Sequence, residues 1–208
     1  MRMRIVPMLA LLVAVLLPQG ASAECAAERS LAAFVGSSSI AKWGTLAKDF
    51  PLMCVINFGV EGSAQLPDGQ MIAGVKKLID EVISWRPKVV VLYVGENDLW
   101  VGNSPEEVHG AIREVTKQLE AALPEVRIVY ISLKPSPRRW NIVGEIVAVD
   151  RMLQEDAWTD PRLSFADVFS WMLDERGEVR SDLFTPDGLH MNEFGYAIWT
   201  HVVTEALK

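Results

Sequence analysis

Along this chain, short runs that are apolar at consecutive positions alternate with longer stretches in which apolar residues recur every third or fourth position. The runs lie near Leu31 to Gly36, Met53 to Asn57, Val89 to Val94, Val126 to Leu133 and Leu163 to Val168. A strand with one face in water carries polar residues at every second position. These runs do not, so they fit parallel strands covered on both faces. Between them, Val108, Ile112, Val115, Leu119 and Leu123 mark one helical face. It follows Ser104-Pro105-Glu106-Glu107, which offers a capping box with Pro at the first helical position. Ile72, Val75, Ile79, Val82 and Ile83 mark a second face, and Ile142, Val143, Ile146, Val149 and Leu153 a third. A last helix is expected from about Asn192 to the end.

Strands that alternate with helices build an α/β sheet with right-handed crossovers, and ligands of such sheets bind beyond the carboxyl ends of the strands. Five segments follow the strands and should gather at one edge: Gly36 to Ser39, Gly59 to Ser63, Gly95 to Asp98, Lys134 to Trp140 and Asp187 to His190. No internal repeat, low-complexity tract or linker interrupts residues 24–208, which therefore read as one domain.

The first 23 residues follow a different pattern. Arg2 and Arg4 precede an apolar run from Ile5 to Leu17 and then Ala21-Ser22-Ala23, the layout of a signal peptide cleaved before Glu24. That run has 13 residues, short of the roughly 20 that a membrane span needs, so no stable anchor is expected. Export to the periplasm or medium is the implied destination. Cleavage would remove two positive charges, taking the formal net charge from −7 to −9 (−7 − 2), which disfavours nucleic acid or anionic lipid as a partner. Composition, with 50% hydrophobic and 23% charged residues, is that of a globular chain. Cys25 and Cys54 could pair after export, although sequence fixes no distance between them. The three histidines are far apart and neither cysteine has metal-ligand spacing, so no metal site is expected.

A serine hydroxyl becomes a useful nucleophile when an imidazole takes its proton and a carboxylate orients that imidazole. Ser38, His190 and Asp187 supply the three groups at strand ends. Gly62, which lets a ligand approach its N–H closely, and the Asn97 amide are candidate oxyanion donors. Singly, none is specific: serines and glycines after strands are common turn residues, and Asp187-Gly188 is a common turn pair. His109 and His201 fall inside expected helices and are assigned surface or packing roles.

The order of these segments resembles the SGNH (GDSL-type) hydrolases. Gly36-Ser37-Ser38-Ser39, with Trp43 five residues after Ser38, is similar to the family's first block, and Asn57 to Gly62 to its second. Gly95-Glu96-Asn97-Asp98 matches Gly-x-Asn-Asp, and Asp187-Gly188-Leu189-His190 matches Asp-x-x-His. Ser37 stands where the family usually has Asp, a departure that touches the serine turn rather than the triad. The rival α/β-hydrolase elbow, Gly-x-Ser-x-Gly, is not met, since Ile40 takes the second glycine's place.

The resemblance implies a flavodoxin-like three-layer α/β/α fold with a five-stranded parallel sheet and a cofactor-free serine esterase. Its triad would be Ser38, His190 and Asp187, and its oxyanion hole Ser38 N–H, Gly62 N–H and Asn97. Glu96, inside the third block, receives no role. Lys134, Arg138, Arg139 and Trp140 should face the site and could hold an anionic or sugar-bearing substrate. A small-molecule, lipid or carbohydrate ester all suit the pattern, as does acyl transfer to a carbohydrate acceptor. A non-catalytic exported binding protein is the alternative from another class, but binding gives no reason for Asp-x-x-His.

Overall fold

Continuous burial turns the apolar runs into strands. The computed structural model describes residues 30–61 and 71–208, and the strands in it are β1 (Leu31–Gly36), β2 (Cys54–Gly59), β3 (Val89–Tyr93), β4 (Arg127–Ile131) and β5 (Leu163–Ala166). All pair in parallel in the order β2-β1-β3-β4-β5. The central β3 is buried along its whole length, while the edge strand β2 keeps half-exposed positions. β4 ends two residues before the expected Leu133 because Ile131 is the last position with a partner, Ala166. Leu133 remains buried without being strand.

Nine α-helices occur among the described residues: α1 (Ser38–Ala41), α2 (Leu46–Asp49), α3 (Met71–Lys76), α4 (Ile79–Ser84), α5 (Glu96–Trp100), α6 (Pro105–Ala122), α7 (Val143–Thr159), α8 (Val168–Trp171) and α9 (Glu193–Ala206). The capping box of α6 forms as expected, with Ser104 Oγ accepting from Glu107 N and the Glu107 carboxylate accepting from Ser104 N at 2.8 Å. The apolar face at 72–83 is split between α3 and α4, which both bury it through Ile72, Val75, Ile79 and Val82. The third helical face starts one residue later than expected, since Ile142 ends a 3-10 helix, Pro137–Ile142, that leads into α7.

The helices cover both faces of the sheet. α6 contacts α3, α4 and α7 over one face. On the other, Trp43, which follows α1, packs edge-on against Trp199 of α9, while Phe34 of β1 and Tyr93 of β3 meet Trp43 and Trp199 respectively. Trp43, Trp199, Tyr93 and Phe34 are all fully buried, so this aromatic layer anchors the first strand-helix turn to the last helix. Tyr196 of α9 adds a polar tie by donating its hydroxyl to the Ser39 carbonyl at 2.9 Å.

Among the described residues, no helix is long and apolar enough to cross a membrane and no cluster of ligating side chains could hold a metal ion. Cys54 is disulfide-bonded. Cys25, Gly62 and the expected signal segment 1–23 lie outside the described residues.

Candidate active site

In strand order 2-1-3-4-5, the connections from β1 and from β3 leave toward opposite faces, which opens a crevice between their carboxyl ends. The backbones close up there. A Cβ on Gly36 would lie 2.1 Å from the Tyr93 carbonyl oxygen, so only glycine fits, and Ser37 N donates to that same oxygen at 3.1 Å. The chain then turns into α1, with the Ser37 carbonyl accepting from Ile40 N and Ala41 N. Ser37 and Ser39 are each 3% exposed, whereas Ser38 is half-buried and reachable. Ser37 makes no side-chain cap bond. Backbone bonds hold the turn, so a serine in place of the family's aspartate leaves it intact.

Asn57 of β2 braces the turn from beside it. Its amide nitrogen donates to the Ile40 carbonyl at 2.8 Å and its amide oxygen accepts from Gly59 N at 2.8 Å. Sequence reading placed Asn57 in the second block without a role.

The base arrives from the other end of the chain. An antiparallel bridge between Phe184 and Met191 closes the loop that carries it, and Thr185 N donates to the His190 carbonyl at 2.8 Å inside that loop. Asp187 Oδ1 accepts from the Thr185 hydroxyl and from the backbone N–H groups of Leu189 and His190, at 2.8 to 2.9 Å. Its Oδ2 lies 2.5 Å from His190 Nδ1, and His190 Nε2 lies 3.0 Å from Ser38 Oγ. Partial burial pushes the Asp187 carboxyl up, but the His190 ring, the two backbone donors and the Thr185 hydroxyl outweigh that and hold it well below the usual carboxylate range. A carboxylate on Nδ1 keeps that nitrogen protonated and leaves Nε2 free to take the Ser38 proton. Ser38, Asp187 and His190, chosen from sequence order, are thus brought together.

Asn97 sits in the first turn of α5, behind Gly95. Gly95 has φ 124°, a backbone region that favours glycine, and a Cβ there would also press on Val108 at 2.8 Å. Asn97 Oδ1 accepts from Arg139 Nη2 at 2.7 Å. The next residue, Asp98, accepts from Ile72 N at 3.1 Å and so clamps the start of α3.

The expectation that Lys134 and Arg139 face the site as substrate-binding cations is corrected by their burial. Lys134 Nζ lies 2.5 Å from Glu96 Oε2, and Arg139 Nη1 lies 3.4 Å from Glu96 Oε1. Tyr93 donates its hydroxyl to Glu96 Oε2 at 2.5 Å. Burial raises the Glu96 carboxyl, yet the two cations and the hydrogen bonds from Lys134 and Tyr93 overcome it and leave the group below its ordinary value. Glu96, given no role from sequence, is the hub of this cluster. Arg138 and Trp140 are exposed, and Arg138 N donates to the Gly188 carbonyl at 2.9 Å, joining the 3-10 helix to the His190 loop. His109 and His201 lie in α6 and α9, where His109 pairs with Asp156 at 2.8 Å.

Residues 30–198 match the profile of the GDSL-like Lipase/Acylhydrolase family. The platelet-activating factor acetylhydrolase IB subunit alpha1 of Homo sapiens is 27% identical over 149 residues, covering 71% of this chain and 61% of that protein. The alpha2 subunit of Gallus gallus is 28% identical over 119 residues, 56% of this chain and 50% of that one. The chain therefore spans about six-tenths or less of the length of these curated relatives. Among solved structures, a GDSL-like lipase of Bacteroides thetaiotaomicron superposes with a TM-score of 0.69 at 20% identity, covering 86% of this chain and 87% of that one. An acetyl-xylooligosaccharide esterase of Geobacillus gives 0.68 at 14% identity over 86% and 94%. At these identities the structural likeness speaks for the fold.

Proposed function

Because this chain belongs to the GDSL-like lipase/acylhydrolase family, we propose that it is an exported serine esterase with Ser38 as nucleophile. The observation that carries the reading is the unbroken chain from Ser38 Oγ through His190 to Asp187, with contacts of 3.0 and 2.5 Å. His190 Nε2 takes the hydroxyl proton as Ser38 Oγ bonds to the ester carbonyl carbon. Negative charge then gathers on the former carbonyl oxygen, where Ser38 N–H, Gly62 N–H and the Asn97 amide receive it. The C–O bond to the alcohol breaks and His190 returns the proton to the departing oxygen. Water, deprotonated by His190, attacks the acyl-serine and releases the acid.

A short acyl group is the favoured substrate. Asp187 and His190 stand at the surface, with side chains 43% and 22% exposed, which suits an open site. The names of two relatives point the same way, one an acetylhydrolase and one an acetyl-xylooligosaccharide esterase.

Purified protein should cleave p-nitrophenyl acetate and be labelled at Ser38 by a fluorophosphonate. Ser38→Ala should abolish both, while Ser37→Ala and Ser39→Ala retain activity. Labelling that persists in Ser38→Ala would remove the nucleophile from this reading.

A further inference from the structure

The buried cluster behind Asn97 contains an arginine that the reaction as written does not use. A guanidinium only donates hydrogen bonds, so the end of Asn97 that faces Arg139 must be its oxygen. That contact, at 2.7 Å, settles which way the amide is turned and leaves Nδ2 with no partner among the described residues. Arg139 is itself held. Glu96 Oε1 lies 3.4 Å from its Nη1, and the Trp100 ring covers its guanidinium with the carbon 5.5 Å from the ring centroid. Glu96 is in turn fixed by Lys134 and Tyr93. The Arg139 side chain is 7% exposed and that of Glu96 4%, so water screens these contacts little.

We propose that Arg139 is a positioning residue for the oxyanion donor, gripping the Asn97 oxygen through its Glu96-held guanidinium so that the amide nitrogen is kept for the reacting carbonyl. This rests on the esterase reading given above. Two effects act together. The grip removes the flipped amide, whose oxygen would repel an oxyanion. A cation on the amide oxygen also draws electron density from the nitrogen and strengthens its N–H groups as donors, an effect matched to charge that peaks in the transition state. The contact therefore belongs in turnover more than in substrate binding.

The test is a double-mutant cycle on p-nitrophenyl acetate hydrolysis, with folding checked by circular dichroism. Arg139→Met should lower kcat by about 10- to 100-fold and change KM by less than about three-fold, a smaller loss than the ~100- to 1000-fold expected when such a donor is removed outright by Asn97→Ala. Arg139→Lys should recover part of kcat, since an ammonium keeps the charge without the two-pronged grip. In the Asn97→Ala background, Arg139→Met should cost less than about three-fold more, because a residue that works through Asn97 has nothing left to position. A folded Arg139→Met with wild-type kcat overturns the proposal, as does a double variant that loses the full product of the two single effects. Should Arg139→Met not fold, the same cycle is read on Arg139→Lys, where no loss at all, or a loss undiminished by Asn97→Ala, overturns it. A wild-type protein that neither turns over the ester nor labels at Ser38 would instead sink the esterase reading itself.

Discussion

Glu96 faces two buried cations, and what becomes of them when it is removed decides the largest single-residue effect expected here. Glu96→Ala leaves Lys134 and Arg139 in a site that water barely reaches, 1% and 7% exposed at the side chain. Removing one partner of a buried ion pair typically costs about 3–5 kcal/mol, which for a chain of this size lowers Tm by roughly 10 °C. Thermal melts of Glu96→Ala against wild type check this, and an unchanged Tm would mean the cluster carries little of the fold. Reading the third block as a motif misses this role. The block places Asn97 at the strand end, but the charged partners of Glu96 lie 38 residues downstream in Lys134 and, further on, in Arg139, and no local pattern marks a buried charge. Ser38, Asp187 and His190 are legible for the opposite reason: each stands in a short segment whose spacing is fixed by the turn that presents it.

Strands were the most legible elements, because β1, β3 and β4 are buried on both faces and spell that out as unbroken apolar runs. The break between α3 and α4 was not, since both helices keep the same apolar face and the pattern continues across the gap. Besides that buried face, α3 is held at its start by the bond from Ile72 N to Asp98, whose second oxygen is buried without a partner among the described residues. Burial raises the Asp98 carboxyl to about 6, against the opposing backbone donors. An unfolded aspartate titrates near 4, so between about pH 4 and 6 the unfolded chain releases this proton first and stability falls as pH rises, by about 3 kcal/mol at most. Above pH 6 the contribution is level. Asp98→Asn keeps an oxygen for Ile72 N and cannot ionise, so denaturation midpoints measured from pH 4 to 8 should decline less in the variant than in wild type. Equal slopes would show that Asp98 is not the group responsible.

Across the whole molecule, the formal net charge of −7 and the strongly apolar N-terminus belong to different parts of the chain. If residues 1–23 direct export, mass spectrometry of protein recovered outside the cytoplasm should find Glu24 at the N-terminus. A full-length cytoplasmic product would end the export proposal while leaving the site untouched, since the described parts of that site begin at β1.

The crevice also has a consequence for how the protein matures. Ser38 and His190 are 152 residues apart, and the serine turn is tied to α9 through Tyr196 and the Trp43–Trp199 contact. Half of the machinery leaves the ribosome first and the other half nearly last. A chain emerging through a narrow passage, start foremost, therefore keeps Ser38 without His190 until almost all of it has arrived, and under the proposed esterase reading hydrolytic power would appear only once the job of folding is essentially over.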